Sequence, residues 1–275
     1  MRVNNFSLSQ TLECGQCFNF EKIAENDYIV VACGKVLHVI QHTPDEVEFV
    51  NASGDDVRDI WIPYFDLDRD YDEIKNEVVK ADPRLAPVVE KYGGLRILNQ
   101  EFPETLLSFI ISQNKNIPQI KKIIRSICEE YGEYPKGGAD FKTFPAPERL
   151  SQMTEEDFRN LKTGFRAPYL INAIRAMEGG LSGDALREMT FEEAKKALTG
   201  IKGVGDKVAN CVLLFSLGFR SAFPVDVWIK RIMEEMYFGK DTDKKVIEEF
   251  AADKFGKWGG YAQQYLFMYV REKKS

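Results

Sequence analysis

The sequence predicts an α+β fold, in which a small antiparallel β domain precedes a domain built entirely of helices. Two observations predict this division. Up to about residue 65, short runs of β-branched and aromatic residues alternate with turn-forming residues, as in antiparallel strands. From residue 70 onwards, apolar residues recur with the period of an amphipathic helix. The 275 residues suffice for one large or two modest domains. We place the domains at 1–80 and 81–275.

The β domain is predicted from three runs of strand-forming residues. Between them lie Cys33-Gly34 and Thr43-Pro44-Asp45, and a further turn follows at Ala52-Ser53-Gly54-Asp55. These residue types favour tight turns, so consecutive strands are expected to pair as antiparallel neighbours. The predicted strands cover residues 28–32, 35–40 and 47–50.

The helical domain is predicted from apolar periodicity interrupted by proline and glycine. Two of these helices, near 191–217, flank a glycine-rich turn and form a helix-hairpin-helix. No internal repeat or low-complexity tract is present. The predicted helices cover residues 70–81, 84–92, 103–113, 117–131, 155–161, 167–178, 191–199, 207–217, 226–237, 243–255 and 260–272.

Composition excludes some classes of protein. No apolar run approaches the length of a membrane span, and the first residues do not form a signal peptide. The net charge is −6, which does not by itself suggest a nucleic-acid partner. Acidic residues outnumber basic ones by 8 in residues 1–100, whereas basic residues are in excess by 3 in residues 201–275. Because binding to DNA needs a local positive face, this distribution permits it.

The metal-ligating residue types are sparse. Cys14 and Cys17 form a CxxC motif, but no second pair completes a zinc site, so we interpret them as two thiols at a strand–turn edge. His38 and His42 are the two histidines of the chain, which makes a histidine-based metal site improbable. Five cysteines, an odd number, are typical of a protein from a reducing compartment.

The stretch from Gly200 to Cys211 carries the strongest signal. It contains Gly200, Gly203 and Gly205 between two apolar helical patterns. Glycine permits positive φ and close backbone approach, and a helix that begins after such a turn presents free N–H groups that attract phosphate. Lys207 lies in the first turn of that helix, where a cation is disfavoured. This position suits an amine that must be partly neutral to act as a nucleophile.

This stretch reads Gly-Ile-Lys-Gly-Val-Gly-Asp-Lys-Val-Ala-Asn-Cys, and Phe223-Pro224-Val225-Asp226-Val227 follows it. Together they resemble the signature of the helix-hairpin-helix (HhH-GPD) superfamily of DNA glycosylases, and within it the 8-oxoguanine DNA glycosylase/AP lyase branch. The resemblance is strong after Glu101 and weak at the N-terminus. It implies an enzyme of base excision repair that flips 8-oxoguanine out of duplex DNA, excises it through a lysine Schiff base and cleaves the strand by β-elimination.

The resemblance implies that Lys207 and Asp226 are the catalytic pair. Lys207 would attack C1′, and Asp226 would stabilise the developing positive charge and help activate the amine. Each residue has a simpler interpretation. Asp226 could only cap the helix that follows, and Lys207 could be a solvated or phosphate-binding lysine. The family spacing of the two residues favours catalysis.

The resemblance assigns DNA contacts to three further segments. Asn114 would enter the space left by the flipped base, although its segment could also cap the next helix. Phe165 would unstack the neighbouring step and Arg166 would donate to the estranged cytosine. The hairpin glycines Gly203 and Gly205 would bind DNA. The eukaryotic branch has a second arginine five residues after the asparagine, whereas this chain has Gln119, so we expect weaker discrimination for cytosine.

Four residues are implied in reading the base. The Gly15 carbonyl would accept the N7–H that distinguishes 8-oxoguanine from guanine, and Gln263 would bind the Watson–Crick edge. Phe267 and Cys211 would cover the two faces of the base. Positions 263 and 267 share a helix face, which supports this pairing. The alternative is that Phe267 and Cys211 are ordinary core residues.

The remaining expectations concern cofactors, partners and location. No cysteine follows Cys211, which excludes the C-terminal iron–sulfur cluster of related branches. No cofactor is expected to be required, and a structural monovalent or calcium ion at the hairpin carbonyls is left open. We expect a monomer that binds duplex DNA containing 8-oxoguanine in the nucleoid-associated cytoplasm of a prokaryote, with no membrane partner.

Two alternatives to this function stay open at this point. The first is a monofunctional alkyl-purine DNA glycosylase, which would use the aspartate and water without a lysine; the presence of Lys207 argues against it. The second is a non-catalytic helix-hairpin-helix module that holds DNA through its phosphates. Its binding would be uniform across sequences and steeply salt-dependent.

Overall fold

The computed structural model describes residues 1–135 and 140–272 and contains one antiparallel sheet in its N-terminal part. The strands are β1 (Phe20–Ala24), β2 (Asp27–Ala32), β3 (Lys35–Thr43) and β4 (Glu46–Phe49), in that order. Cys33 and Gly34 both adopt positive φ, 54° and 65°, in the two-residue turn that joins β2 and β3. This geometry matches the right-handed twist of a hairpin. The α+β fold class is confirmed.

The sequence predicts an N-terminal region made of strands, but the structure also contains helices there. A short helix precedes β1, and a helical segment follows β4. Both were missed because they are shorter than the window in which helical periodicity is visible. The second segment also contains or adjoins the aromatic residues Trp61, Tyr64 and Phe65, and aromatic residues are typical of strands. These elements are α1 (Leu8–Leu12), α2 (Gly54–Asp56), a π-helical turn (Val57–Trp61) and α3 (Ile62–Tyr64).

Helices continue from residue 71 to residue 272, and each of the eleven predicted helices has a counterpart, whereas two short helices at 147–150 and 183–187 were not predicted. Three agree to the residue, at 117–131, 167–178 and 191–199. The helices are α4 (Tyr71–Ala81), α5 (Ala86–Lys91), α6 (Phe102–Ile111), α7 (Ile117–Tyr131), α8 (Pro147–Leu150), α9 (Glu155–Asn160), α10 (Ala167–Glu178), α11 (Gly183–Arg187), α12 (Phe191–Thr199), α13 (Asp206–Phe215), α14 (Val227–Met233), α15 (Lys244–Phe255) and α16 (Gly259–Glu272).

Two hydrophobic cores divide the chain unevenly. The smaller core joins α1, the inner face of the sheet and the aromatic residues around Phe65, and it also takes in Leu98. The larger core includes Tyr71, Ile74 and Val78 of α4, together with Cys14 from the turn after α1. A boundary at residue 80 would therefore cut α4 from the core it packs in. The exact boundary stays a prediction, and residues 136–139 and 273–275 of the predicted helical domain lie outside the described residues.

A buried arginine joins the N-terminal segment to the larger core. Arg96 is 3% exposed, and its guanidinium donates to the carbonyls of Asn4 (2.7 Å) and Asn5 (3.0 Å). The same group lies 4.3 Å from the centre of the Tyr71 ring. Planar contacts of this kind hold a cation well in a partly apolar setting. These contacts of Arg96 fix the segment before α1 against the helices. They thereby also position the turn that follows α1.

Candidate active site

The hairpin lies between α12 and α13, as predicted. Thr190 caps α12 through a capping box with Glu193. Of the three glycines, Gly203 has the positive φ, 102°, and a Cβ at this position would lie 2.2 Å from Cγ of Tyr169. Gly205 is the N-cap of α13 and has open space around it. Close packing on α10 therefore requires glycine at 203, whereas Gly205 leaves the helix N-terminus unobstructed.

Beside the N-terminus of α13 lies a small cavity of about 70 Å³. Five separate parts of the chain line it: the turn after α1, the helices α6 and α13, the segment before α14, and α16. All six residues predicted to act in catalysis or base recognition are among those that line it. The lining residues are Cys14, Gly15, Phe109, Lys207, Cys211, Phe215, Pro224, Asp226, Gln263, Gln264 and Phe267.

Two residues at the C-terminal end of α6, Phe109 and Ser112, contact the amine of Lys207. Its Nζ donates to Oγ of Ser112 at 3.3 Å and lies 4.9 Å from the centre of the Phe109 ring. Neither contact is an ion pair, because a hydroxyl and an aromatic face carry no net charge. The two contacts thus direct the side chain into the cavity and leave the amine available to react. Sequence reasoning missed both partners, since nothing in their helical pattern indicates which residue faces Lys207.

Asp226 serves as a helix cap and also lines the cavity. Its Oδ1 accepts hydrogen bonds from the backbone N–H groups of Trp228 (2.9 Å) and Ile229 (2.8 Å). These bonds begin α14 and stabilise a negative charge on the carboxylate. The capping interpretation is therefore right as far as it goes. It does not exclude catalysis, because the cap holds the carboxylate rigidly in the same cavity as Lys207.

The cysteines at the cavity are protonated at neutral pH. Burial raises the pKa of the Cys211 thiol to about 11, even though the nearby Lys207 ammonium opposes the shift. Burial also raises the pKa of Cys14 to about 11. Since the thiolate is the nucleophilic form, neither thiol competes with the amine. Cys14 and Cys17 are both buried after α1, not on the edge of a strand as the sequence had suggested.

Gly15 has a φ of 87°, in the region that favours glycine. A Cβ there would lie 3.2 Å from Cδ1 of Ile117 and 4.0 Å from Cε1 of Phe267. The backbone at this turn is therefore placed against the ring that is predicted to stack on the base. Gln263 donates from Nε2 to the Pro224 carbonyl at 3.2 Å, which holds its amide at the same cavity.

The asparagine-rich turn divides two tasks between its residues. Asn116 caps α7 in a capping box with Gln119, whose side chain accepts from the Asn116 N–H at 3.2 Å. Asn114 takes no part in this cap. It is exposed and adopts a left-handed conformation, with a φ of 52°. The side chain predicted to enter the duplex is thus presented at the tip of the turn.

The predicted wedge is exposed but its neighbour is not. Phe165 is 52% exposed. Arg166 is only 5% exposed, and its guanidinium donates to the carbonyls of Gln113 (from Nε, 2.7 Å) and Thr163 (3.1 Å). In this conformation Arg166 does not reach outwards, so a contact with cytosine would require it to leave both carbonyls. The sequence could not reveal this, because the acceptor at Gln113 is distant in the chain.

A chain of hydrogen bonds joins the three segments that are predicted to contact DNA. Arg166 donates to the carbonyl of Gln113, and Gln113 donates from Nε2 to the carbonyl of Gly203 at 3.1 Å. The asparagine turn, the wedge and the hairpin are thereby fixed relative to one another. The Gly203 carbonyl, one of the carbonyls at which an ion was left open, already accepts a hydrogen bond from Gln113.

The hairpin brings the amine of Lys207 and the capping carboxylate of Asp226 into one cavity. This is the arrangement expected of a protein of the helix-hairpin-helix class. Family models agree with this geometry. Residues 1–106 match the N-terminal domain of 8-oxoguanine DNA glycosylase, and residues 107–257 match the HhH-GPD superfamily of base excision DNA repair proteins. The chain belongs to this superfamily.

Known proteins of two kinds are similar to the chain. The N-glycosylase/DNA lyase OGG1 of Arabidopsis thaliana is 36% identical over 214 residues, which are 71% of this chain and 57% of the plant protein. The chain thus spans little more than half of that relative. The DNA-3-methyladenine glycosylase of Bacillus subtilis is 30% identical over 88% of this chain and 86% of its own length.

A solved structure matches over nearly the whole length. The 8-oxoguanine glycosylase/lyase of Clostridium acetobutylicum, in complex with double-stranded DNA containing cytosine opposite 8-oxoguanine, superimposes with a TM-score of 0.94. The two sequences are 41% identical, and the match covers 99% of this chain and 94% of the Clostridium protein. In the part of the chain that the structure describes, no helix is long and apolar enough to cross a membrane.

Proposed function

We propose that this protein is a bifunctional DNA glycosylase that excises 8-oxoguanine from duplex DNA and then cleaves the strand as an AP lyase. The observation that carries the proposal is the single cavity that holds Lys207, Asp226 and the predicted base-reading residues. These residues come from four separate parts of the chain, and their convergence has no explanation in a module that only holds DNA. The similarity to named glycosylase/lyases supports the same conclusion.

The first reaction step replaces one bond to the sugar by another. The uncharged amine of Lys207 attacks C1′ as the C1′–N9 bond breaks, and the electron pair of that bond leaves with the base, which takes up a proton. The carboxylate of Asp226 faces the positive charge that develops on the sugar. Because backbone N–H groups already hold this carboxylate, little reorganisation is needed during the reaction.

The second step cleaves the strand. Opening of the sugar ring converts the amine adduct into a Schiff base between Lys207 and C1′. The Schiff base acidifies C2′, so loss of a C2′ proton expels the 3′ phosphate by β-elimination. Hydrolysis by one water then releases the unsaturated sugar and regenerates the amine. Ser112 and Phe109 position Nζ for the attack, and neither of them forms an ion pair with it.

Recognition combines the base and the DNA around it. The Gly15 carbonyl would accept N7–H of the lesion, with Phe267 and Cys211 on the two faces and Gln263 at the Watson–Crick edge. Asn114 and the exposed Phe165 would occupy the duplex, and the hairpin would bind a backbone phosphate. The residues that we propose to contact the base and the surrounding DNA are Gly15, Asn114, Phe165, Arg166, Gly203, Gly205, Cys211, Gln263 and Phe267.

The remaining assignments follow from this function. A monomer acting on chromosomal DNA in the nucleoid of a prokaryote fits the substrate, and no cofactor is required by the chemistry above. An ion at the hairpin carbonyls would add to phosphate binding without entering the reaction. Gln119, engaged in the cap of α7, would leave one fewer donor for cytosine opposite the lesion.

A second candidate is favoured by the relative from Bacillus subtilis, named a DNA-3-methyladenine glycosylase. Removal of a methylated purine needs an aspartate and water, but not an amine in the cavity. Lys207 is held in the cavity by Ser112, and this favours the lyase.

The test is single-turnover cleavage of duplexes that carry 8-oxoguanine opposite each of the four bases, with a 3-methyladenine duplex and an undamaged duplex as controls. The proposal predicts release of 8-oxoguanine and strand scission without alkali, with only a modest preference for cytosine. Release of 3-methyladenine without scission would support the second candidate. Binding to all duplexes with no release of either base would contradict both.

A further inference from the structure

One buried amide of the cavity lacks a partner for its acceptor. Gln264 is 3% exposed and lines the same cavity as Lys207. Its Nε2 donates to Oε1 of Gln263 at 2.7 Å, but its own Oε1 is buried and accepts no hydrogen bond from the described part of the chain. An amide oxygen left unpaired in a protein interior is costly. At a binding cavity, such an atom is expected to be completed by the ligand.

The bond from Gln264 also determines what its neighbour can offer. The amide of Gln263 donates one N–H to the Pro224 carbonyl and accepts at Oε1 from Gln264. This leaves Gln263 with a second N–H and one lone pair on Oε1. Together with the unpaired Oε1 of Gln264, the two adjacent amides present one donor and two acceptors.

This set matches one type of purine edge. The edge of a 2-amino-6-oxopurine presents one acceptor, O6, and two donors, N1–H and the exocyclic N2–H. A 6-aminopurine presents a donor at N6 and an acceptor at N1, which would face an acceptor oxygen. A 6-oxopurine without the 2-amino group would leave one of the two acceptors unpaired. A site whose buried polar groups stay unpaired rejects such an analogue.

We propose that Gln264 is a specificity-determining residue whose Oε1 accepts the exocyclic 2-amino group of the flipped base, while its Nε2 orients Gln263. The proposal rests on the proposed excision of 8-oxoguanine and adds a requirement for the 2-amino group. Tyr265, the next residue of α16, is a matched control. Its hydroxyl is also buried and without a partner among the described residues, yet it does not line the cavity.

The experiment compares 8-oxoguanine with 8-oxohypoxanthine, which lacks only the 2-amino group, each opposite cytosine in the same duplex. Single-turnover excision is measured for the wild type, Gln264→Met and Tyr265→Phe. We expect the wild type to excise 8-oxoguanine roughly 10- to 100-fold faster, as the loss of one buried hydrogen bond implies. Gln264→Met should bring the two rates within about threefold by slowing excision of 8-oxoguanine. Tyr265→Phe should keep the wild-type ratio.

Cleavage of a preformed abasic site serves as the internal reference. No base occupies the cavity in that reaction, so Tyr265→Phe should cleave this site at the wild-type rate, and a cooperative thermal unfolding transition reports that Gln264→Met is folded. If that variant does not fold, Gln264→Ala is measured in its place. A wild-type ratio in the Gln264 variant, or equal rates for the two bases in the wild type, would overturn the proposal. A wild type that neither excises 8-oxoguanine nor cleaves the abasic site would instead refute the underlying function.

Discussion

Gly203→Ala should destabilise the protein far more than Gly205→Ala, although the two glycines lie in one hairpin. At Gly203 the new methyl group would lie 2.2 Å from Cγ and 2.5 Å from Cβ of Tyr169, at a φ of 102°. Overpacking of this kind costs about 1–3 kcal/mol. The left-handed backbone adds about 1 kcal/mol or more. We therefore expect a loss of about 2–5 kcal/mol in the free energy of unfolding, measured by urea denaturation.

Gly205→Ala is the matched control for this prediction. No atom lies within 4 Å of a Cβ at Gly205, and its φ is not positive. Loss of the N-cap glycine should cost about 1 kcal/mol or less. Tyr169→Ala combined with Gly203→Ala should recover the part of the cost that is due to the clash, which a double-mutant cycle measures. Equal destabilisation by the two glycine variants, or no coupling to Tyr169, would show that the contact with Tyr169 is not what requires glycine at position 203.

Three further predictions concern single side chains. Asp226→Asn should keep the cap of α14 and change the free energy of unfolding by less than about 0.5 kcal/mol. It should nevertheless slow excision at least about 100-fold in single-turnover assays. If the loss of excision were no larger than the change in stability, Asp226 would be only a helix cap. Burial, with Glu101 nearby, raises the pKa of Glu104 from 4.5 to about 8, so its stabilising contribution is complete below about pH 4.5 and is lost as the pH rises to about 8. Glu104→Gln should therefore flatten the fall in melting temperature over that range, and an unchanged slope would contradict this assignment. Arg166→Ala should cost about 1–3 kcal/mol, because it leaves the Gln113 carbonyl without its donor. A loss of preference for cytosine with unchanged stability would instead support the base-reading role.

The helical part of the fold was predictable because its local signals agree with one another. The helix at 117–131 has Asn116 as its cap, Pro118 in its first turn and a clear apolar stripe, and its observed bounds agree to the residue. The turn at Cys33-Gly34 likewise has the composition that its positive φ values need. Where cap, turn and period agree, tertiary packing only confirms the local preference.

The missed elements lack that agreement. The helix Leu8–Leu12 has five residues, too few for a periodic pattern, and depends on its Ser7 cap and on burial of Leu8 and Leu12. The strand Phe20–Ala24 is mostly exposed and is recognisable as a strand only through pairing with β2. Such elements are determined by contacts with distant parts of the chain, which a single sequence does not display.

The candidate site was predictable in its membership but not in its geometry. The family resemblance predicted Lys207 and Asp226 as a pair, but only the structure reveals that Ser112 accepts a hydrogen bond from the amine and that Arg166 faces inwards. Gln264 stands next to a predicted base reader, and its unpaired oxygen is visible only after the helix is packed against Pro224. Partners across the fold are not encoded by local spacing.

Borohydride trapping tests whether Lys207 forms a Schiff base with the sugar. The protein is incubated with a duplex that contains 8-oxoguanine opposite cytosine, in the presence of borohydride, beside Lys207→Gln and the control Lys202→Gln. Lys202 is exposed on the same hairpin and does not line the cavity. The lysine mechanism predicts a covalent protein–DNA adduct with the wild type and Lys202→Gln, and none with Lys207→Gln. An adduct that persists in Lys207→Gln, or none with the wild type despite binding to the duplex, would contradict it.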